Sequence, residues 1–367
     1  MKVVVAPDSF GGTLSAPEAA RAIVEGWRRQ APDDELVTAP MADGGPGFVA
    51  VLHEALGGEL VVDAVPGPYG EPVPVTWLKV GSTAYIESAQ ACGLHLGERR
   101  EPLLASTFGV GRVLAAALDS GADRIVVGLG GSATNDGGAG LLSALGATAD
   151  VPLDQGPAAL DGVTTVDVTA ARARLTETEI VIASDVDSAL LGMFGATKTF
   201  GPQKGLTDEQ IIGVDAILDR FVDAVCGSTP AERRIADTPG AGAAGGLGFA
   251  LLVLGGTVTS GIDLVADAVG LRDLAATADL VVTGEGRYDF SSRAGKVVFG
   301  VARSAGEAAR PCIVLAGQVE VGSREMRAMG VESAYAVAEV TGLDRALAEP
   351  YPSLVELAAR VARTWSR

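Results

Sequence analysis

The chain has 367 residues, too long for one ordinary core, so two domains are expected. A formal net charge of −18 argues against a nucleic-acid or anionic-membrane partner, since both require basic patches. With 48% hydrophobic and 20% charged residues the chain buries a core, and its 49 glycines with 5% aromatics suit an α/β enzyme rich in tight strand-to-helix turns.

Residues 2–6 form a short β-branched run that reads as a strand, and residues 7–14 as the loop after it. The apolar run is cut by Pro7-Asp8, so it is not the h-region of a signal peptide. A helix then opens at Ser15 and Glu18, a capping box with Pro17 in the first turn, and ends near Gln30, before Pro32. Residues 61–88 alternate through Pro66-Gly67-Pro68 and Gly81-Ser82, which reads as hairpins and puts a domain border near Pro68. Further on, residues 124–129, 180–183, 280–283 and 312–316 are short apolar runs ending at polar or glycine-rich loops. Strands alternating with helices imply parallel sheets with helical crossovers. Thr207 and Gln210 form a second capping box, ahead of an amphipathic helix carrying Ile211, Leu218, Phe221 and Val222. Cys92, Cys226 and Cys312 lie far apart with no Cys-x-x-Cys, which reads as free thiols in a reducing, cytoplasmic compartment. No apolar run approaches the ~18 residues that a membrane span needs.

Residues 130–140 read Gly-Gly-Ser-Ala-Thr-Asn-Asp-Gly-Gly-Ala-Gly between a strand and a helix. Glycines such as Gly130, Gly131, Gly137 and Gly138 let backbone N–H groups approach an anion closely, and a following helix adds its positive end. Ser132, Thr134 and Asn135 add neutral polar groups, and Asp136 offers a carboxylate to Mg²⁺ or a hydroxyl. No Gly-Lys-Ser/Thr follows, so this is not a Walker A loop. A tight turn with capping side chains accounts for the glycines too, but four polar side chains among five glycines favour a binding loop. Residues 239–248 form a second glycine-rich turn without polar side chains, for which helix packing is an equal explanation.

Three loops place carboxylates just after strands: Asp8-Ser9, Asp185 with Asp187, and Glu285 with Asp289; Asp43 is a fourth candidate. In open α/β sheets ligands bind beyond the carboxyl ends of strands. Gathered carboxylates repel one another unless a cation neutralises them, and Mg²⁺ suits hard oxygens and phosphates. Singly, each Asp is more often a cap or turn residue. Lys204, Arg287 and Lys296 are the candidate cations, with a solvated surface charge as the alternative. His53 and His95 lie outside the polar loops and read as structural, which sets aside histidine catalysis and a zinc site.

The blocks Ala6-Pro7-Asp8-Ser9-Phe10, Ala42-Asp43-Gly44-Gly45, residues 130–140, 200–205, 239–248 and 283–287 resemble, in order and across nearly the whole chain, the signature blocks of the bacterial glycerate kinases. The resemblance implies an α/β fold of two domains: a discontinuous flavodoxin-like parallel-sheet domain (1–68 and 270–367) and an inserted mixed α/β domain (69–269), with the active site in the cleft between them. It implies ATP and Mg²⁺ as cofactors and conversion of D-glycerate to 2-phosphoglycerate. A small hydroxy acid and ATP are then the partners, with room left for a homodimer. Asp185, the acid kept in the most altered block, is then the candidate catalytic base, and Arg287, also taken as catalytic, binds anionic groups with Lys204. Asp8, Ser9, Asp43, Ser132, Asn135 and Asp136 are assigned to substrate. Gly130, Gly131, Gly137, Gly138, Lys204, Glu285 and Lys296 are assigned to nucleotide, and Asp185 and Asp136 to metal. Three departures stand out: Gly11 occupies a usual lysine position, Pro46 and Phe48 replace a glutamate and a threonine, and Asp187 falls in an altered block. They motivate two alternatives, a kinase of a different small hydroxy acid and a non-catalytic ligand-binding protein on the same scaffold.

Overall fold

A computed structural model describes residues 1–97, 101–289 and 296–366. The chain divides into two compact units, one made of Met1–Asp43, Ala50–Leu56 and Ser260–Arg367, the other of Gly44–Val49 and Gly57–Thr259. Its strands in chain order are β1 (Lys2–Val5), β2 (Glu35–Thr38), β3 (Glu59–Pro66), β4 (Pro72–Val80), β5 (Thr83–Glu87), β6 (Arg124–Gly128), β7 (Thr148–Ala149), β8 (Val166–Asp167), β9 (Glu179–Ala183), β10 (Thr257–Thr259), β11 (Leu280–Tyr288), β12 (Cys312–Val319) and β13 (Ser333–Ala336).

The first unit holds a five-stranded sheet in the order β13-β12-β11-β1-β2, with every neighbouring pair parallel. Counted in chain order within the unit this is 2-1-3-4-5, the flavodoxin-like winding. Val3, Val4 and Val5 are fully buried, as expected of a central strand covered on both faces. The Ser15–Glu18 capping box starts the helix Ala16–Gln30, whose Ile23 and Trp27 pack with Leu354, Leu357 and Val361 of the helix Pro350–Trp365. Each such apolar side chain contributes roughly 1.5–3 kcal/mol on burial. Gly26 lets the two helices touch, because a Cβ there would stand 2.2 Å from the Val355 carbonyl oxygen. The Trp27 indole N–H is satisfied by the Asp34 carboxylate at 2.9 Å.

The second unit holds a six-stranded mixed sheet in the order β10-β9-β6-β5-β4-β3. Strands β3, β4 and β5 form an antiparallel meander, while β5, β6, β9 and β10 run parallel. Strand β3 pairs with β4 over its whole length, from Glu59↔Lys79 to Pro66↔Pro72. Residues 57–68 therefore lie with this sheet, and the border falls at Gly57 rather than near Pro68. At the other end, the helix Gly261–Ala268 lies with the first unit, so that border falls at Ser260. The Thr207–Gln210 capping box starts the helix Asp208–Cys226, whose Phe221 meets Phe249 edge-on with ring centres 6.3 Å apart. Among the described residues no helix is long and apolar enough to cross a membrane.

Candidate active site

In the second unit, buried β6 delivers the chain into the 130–140 loop, and the short helix Ala139–Ala144 follows. Gly131, Gly137 and Gly138 take φ of +64°, +65° and +76°, the left-handed region that glycine adopts without cost. Asp136 is fully buried at the loop's centre. Its Oδ2 accepts from Thr107 N at 2.8 Å, Thr107 Oγ1 at 2.9 Å and Gly140 N at 3.3 Å, and its Oδ1 accepts from Gly138 N at 3.0 Å. Burial still holds its pKa above the ordinary carboxylate value against these donors. The carboxylate that the sequence offers to Mg²⁺ or a hydroxyl is thus engaged in shaping its own loop.

Lys204 closes the helix Ala196–Lys204 and reaches into the same loop. Its Nζ donates to Ser132 Oγ at 3.1 Å and to the Thr134 carbonyl at 2.5 Å. The side chain is only 3% exposed, so the surface-charge alternative does not describe it. Loss of hydration brings its pKa down to about 8, against opposing attraction from Cys92 and Asp136. From the same helix, Thr197 Oγ1 accepts from Asn135 Nδ2 at 2.9 Å, while Asn135 Oδ1 is buried without a hydrogen-bond partner among the described residues. Burial pushes the neighbouring Cys92 thiol up to about 12, which leaves it unreactive at neutral pH.

The second glycine-rich turn packs on the first. A Cβ on Gly245 would stand 1.9 Å from the Thr134 carbonyl oxygen, one on Gly246 2.6 Å from Gly137 Cα, and Gly137 N donates to Gly245 O at 3.1 Å. Ala244 beside them has φ +51°, a left-handed conformation that costs a non-glycine residue roughly 1–2 kcal/mol. Asp185 lies half-buried just past β9, and Asp187 is exposed. Phe48 is fully buried, its ring filling the space that Gly128 leaves at the end of β6, whereas Pro46 is exposed.

In the first unit, the strand order reverses between neighbours β1 and β11, and the loop beyond β1 runs against β11 itself. Asp8 N donates to Gly284 O at 2.8 Å, and Gly286 passes so close that a Cβ on it would lie 3.0 Å from Gly11 N. Withdrawal from water, then the charges of Asp43 and Glu285, hold the Asp8 carboxyl well above the ordinary carboxylate pKa, although Ser9 N donates to it at 2.6 Å. Beside this turn opens a cavity of about 510 Å³ whose lining includes Ser9, Glu285, Arg287, Asp289 and Lys296. Arg287 is exposed and pairs with Glu320 at 3.2 Å. Lys296 stands at the N-cap of the helix Val297–Glu307. Among the described residues no three His, Cys, Asp or Glu side chains are grouped to hold a metal by themselves. The donor chemistry at Asp8 nonetheless fits Mg²⁺, which takes one or two carboxylates and completes its shell with water and phosphate oxygens.

The structure thus gathers Asp8, Ser9, Asp43, Glu285, Arg287 and Lys296 in one unit, and the 130–140 loop, Lys204 and Asp185 in the other. Residues that sequence reasoning passes over are Thr107, Thr197 and Glu87. Glu87, 5% exposed, accepts from Gly47 N at 3.1 Å and Val49 N at 3.3 Å, and burial raises its pKa. Thr107 precedes the helix Phe108–Asp119, a position where a threonine is a recognisable cap signal, but its partner Asp136 lies too far along the chain to be paired from sequence.

The sequence profile of the Glycerate kinase family matches residues 3–366. The chain belongs to the glycerate kinase family. It is 41% identical over 349 residues to a glycerate kinase of Bacillus subtilis, covering 92% of this chain and 90% of that one. It is 39% identical over 374 residues to a glycerate 2-kinase of Escherichia coli, covering 99% and 98%. A crystal structure from Salmonella typhimurium LT2, assigned as glycerate kinase 2, superposes with a TM-score of 0.80 at 38% identity, over 99% of this chain and 98% of that one. Membership places the chain among the phosphotransferases that act on an alcohol group.

Proposed function

We propose that the chain transfers the γ-phosphoryl group of ATP to the 2-hydroxyl of D-glycerate, giving 2-phosphoglycerate. The observation that carries the chemistry is Lys204, a buried ammonium held against a glycine-rich loop. A buried cation with nearby backbone N–H groups suits an anion, and phosphoryl transfer is mainly positioning and charge neutralisation. Ser132 and Asn135 sit at this loop and orient the anionic group, and Asp136, through Thr107, Gly138 and Gly140, fixes its shape. Asp185, at the carboxyl end of β9, is the base that takes the substrate hydroxyl proton. Asp8, with Asp43 and Glu285 beside it, holds Mg²⁺, which when bound neutralises phosphate charge. Arg287 and Lys296 attract phosphate oxygens. Phe48 lies in the core, so it does not supply an apolar wall that would favour a less polar acid. With all three cysteines free, we take the compartment to be the cytoplasm.

The test is ³¹P NMR of the product formed from MgATP and D-glycerate. A 2-phosphoglycerate resonance is expected. A 3-phosphoglycerate resonance would move the site of transfer, and neither would remove the reading.

A further inference from the structure

The cavity of the first unit lies where the flavodoxin-like strand order reverses, beyond the carboxyl ends of β1 and β11, the place where such sheets bind ligands. Its volume of about 510 Å³ is ordinary for a cofactor-sized molecule, and a small hydroxy acid fills only part of it. Two chemically different ends are built into it.

One end is apolar. Phe10, Val337 and Leu354 are buried walls, while Leu343 and Leu347 of the helix Leu343–Ala348 are 44% and 61% exposed. Large apolar side chains left in water beside a cavity mark a surface that a flat apolar group can cover. Gln318, reached along β12, adds one amide with both a donor and an acceptor, which matches the edge of a purine base.

The other end is the turn after β1. Gly11 and Gly12 have φ of +55° and +84°, and among the described residues nothing lies within 4 Å of a Cβ placed on either. The turn is closed by Phe10 N on Leu14 O and Thr13 N on Phe10 O, so the Gly11 and Gly12 amides are not used to close it. Such successive amides form an anion-accepting concavity. Lys296 and Arg287 line the cavity as cations. Glu285 and Asp289 line it as well, so a polyphosphate enters as its Mg²⁺ complex.

We propose that the purine-nucleoside end of the phosphoryl donor lies in this cavity against Leu343 and Leu347, with its phosphates toward the Ser9–Gly12 turn and Lys296. The proposal rests on the kinase reading, and it puts the nucleoside on the first unit rather than on the 130–140 loop.

The test is calorimetric titration of the full chain with MgADP, for the wild type, Leu347→Glu and Ala346→Trp. Leu347→Glu puts a charge on the apolar wall at an already exposed position, and Ala346→Trp fills the cavity. Both are expected to raise the MgADP Kd by on the order of tenfold or more, with D-glycerate binding unchanged. If Ala346→Trp fails to fold, Leu347→Glu carries the test. Unchanged MgADP affinity would overturn the proposal and leave the kinase reading standing. A wild type that binds no MgADP would overturn both. Loss of MgADP binding in the variants of a chain that never phosphorylates glycerate would uphold the site and remove the reaction.

Discussion

The Lys204 ammonium donates to the Thr134 carbonyl oxygen at 2.5 Å, tying the end of one helix to the centre of the glycine-rich loop. Burial brings that ammonium down to about 8. If charged Lys204 binds the anion, kcat/KM falls as pH rises through about 8, and Lys204→Met lowers it roughly 10²–10³-fold and abolishes that limb. A pH–rate profile checks this, and a profile that is flat through the region would count against the role. Stability moves the other way. Between about 8 and the ordinary lysine value of 10.5 the unfolded chain holds a proton that the native one has released, so stability rises with pH there.

Asp136→Ala leaves the N–H groups of Thr107, Gly138 and Gly140 without their acceptor. Buried donors left unpaired cost about 1–3 kcal/mol each, partly relieved by relaxation, so a loss of about 2–5 kcal/mol is expected in urea unfolding. A loss below about 1 kcal/mol would show that the loop does not depend on this carboxylate.

Two glycines separate close packing from free space. Gly245→Ala drives a Cβ to 1.9 Å from the Thr134 carbonyl oxygen at φ +69°, and is expected to unfold the loop contact and depress both melting temperature and kcat. Among the described residues nothing lies within 4 Å of a Cβ on Gly11, so the main cost of Gly11→Lys is the left-handed backbone, about 1–2 kcal/mol. By adding positive charge beside the phosphate end it should raise kcat/KM for MgATP. Thermal melts and steady-state kinetics on both variants measure the contrast.

Asp185→Asn is expected to lower kcat by about 10²–10⁴-fold while leaving ligand binding nearly intact, the signature of a lost general base. Equal turnover would remove Asp185 from that role.

Local chemistry made part of this legible. The capping boxes at Ser15–Glu18 and Thr207–Gln210 and the buried valines of β1 announce themselves within a few residues. Strand β2 does not, because Glu35–Thr38 is a half-exposed edge with no apolar run. The helix Pro350–Trp365 did carry a signal, buried residues at 354, 357, 358 and 361, that helical spacing could have found. Gly57-Gly58 marked the real border, but the pairing of β3 with β4 had to be seen to choose it over Pro68. At the site, the 130–140 loop was visible from its glycines and polar residues. The engagement of Asp136 by Thr107 and the burial of Lys204 were not, since both depend on contacts between residues 29 to 72 positions apart. The Asp8, Asp43 and Glu285 carboxylates were each visible singly, and only the fold, which lays the loop after β1 beside β11, makes them one electrostatic group.

If the proposed reaction holds, this chain phosphorylates glycerate with its own loops despite Gly11. Coupled ADP release with MgATP and D-glycerate, run beside lactate, tartronate and other small hydroxy acids, tests it most directly. D-glycerate-dependent ADP release well above that with the other acids is expected. No release with any acid, from a folded chain that still binds MgADP and glycerate, would contradict it.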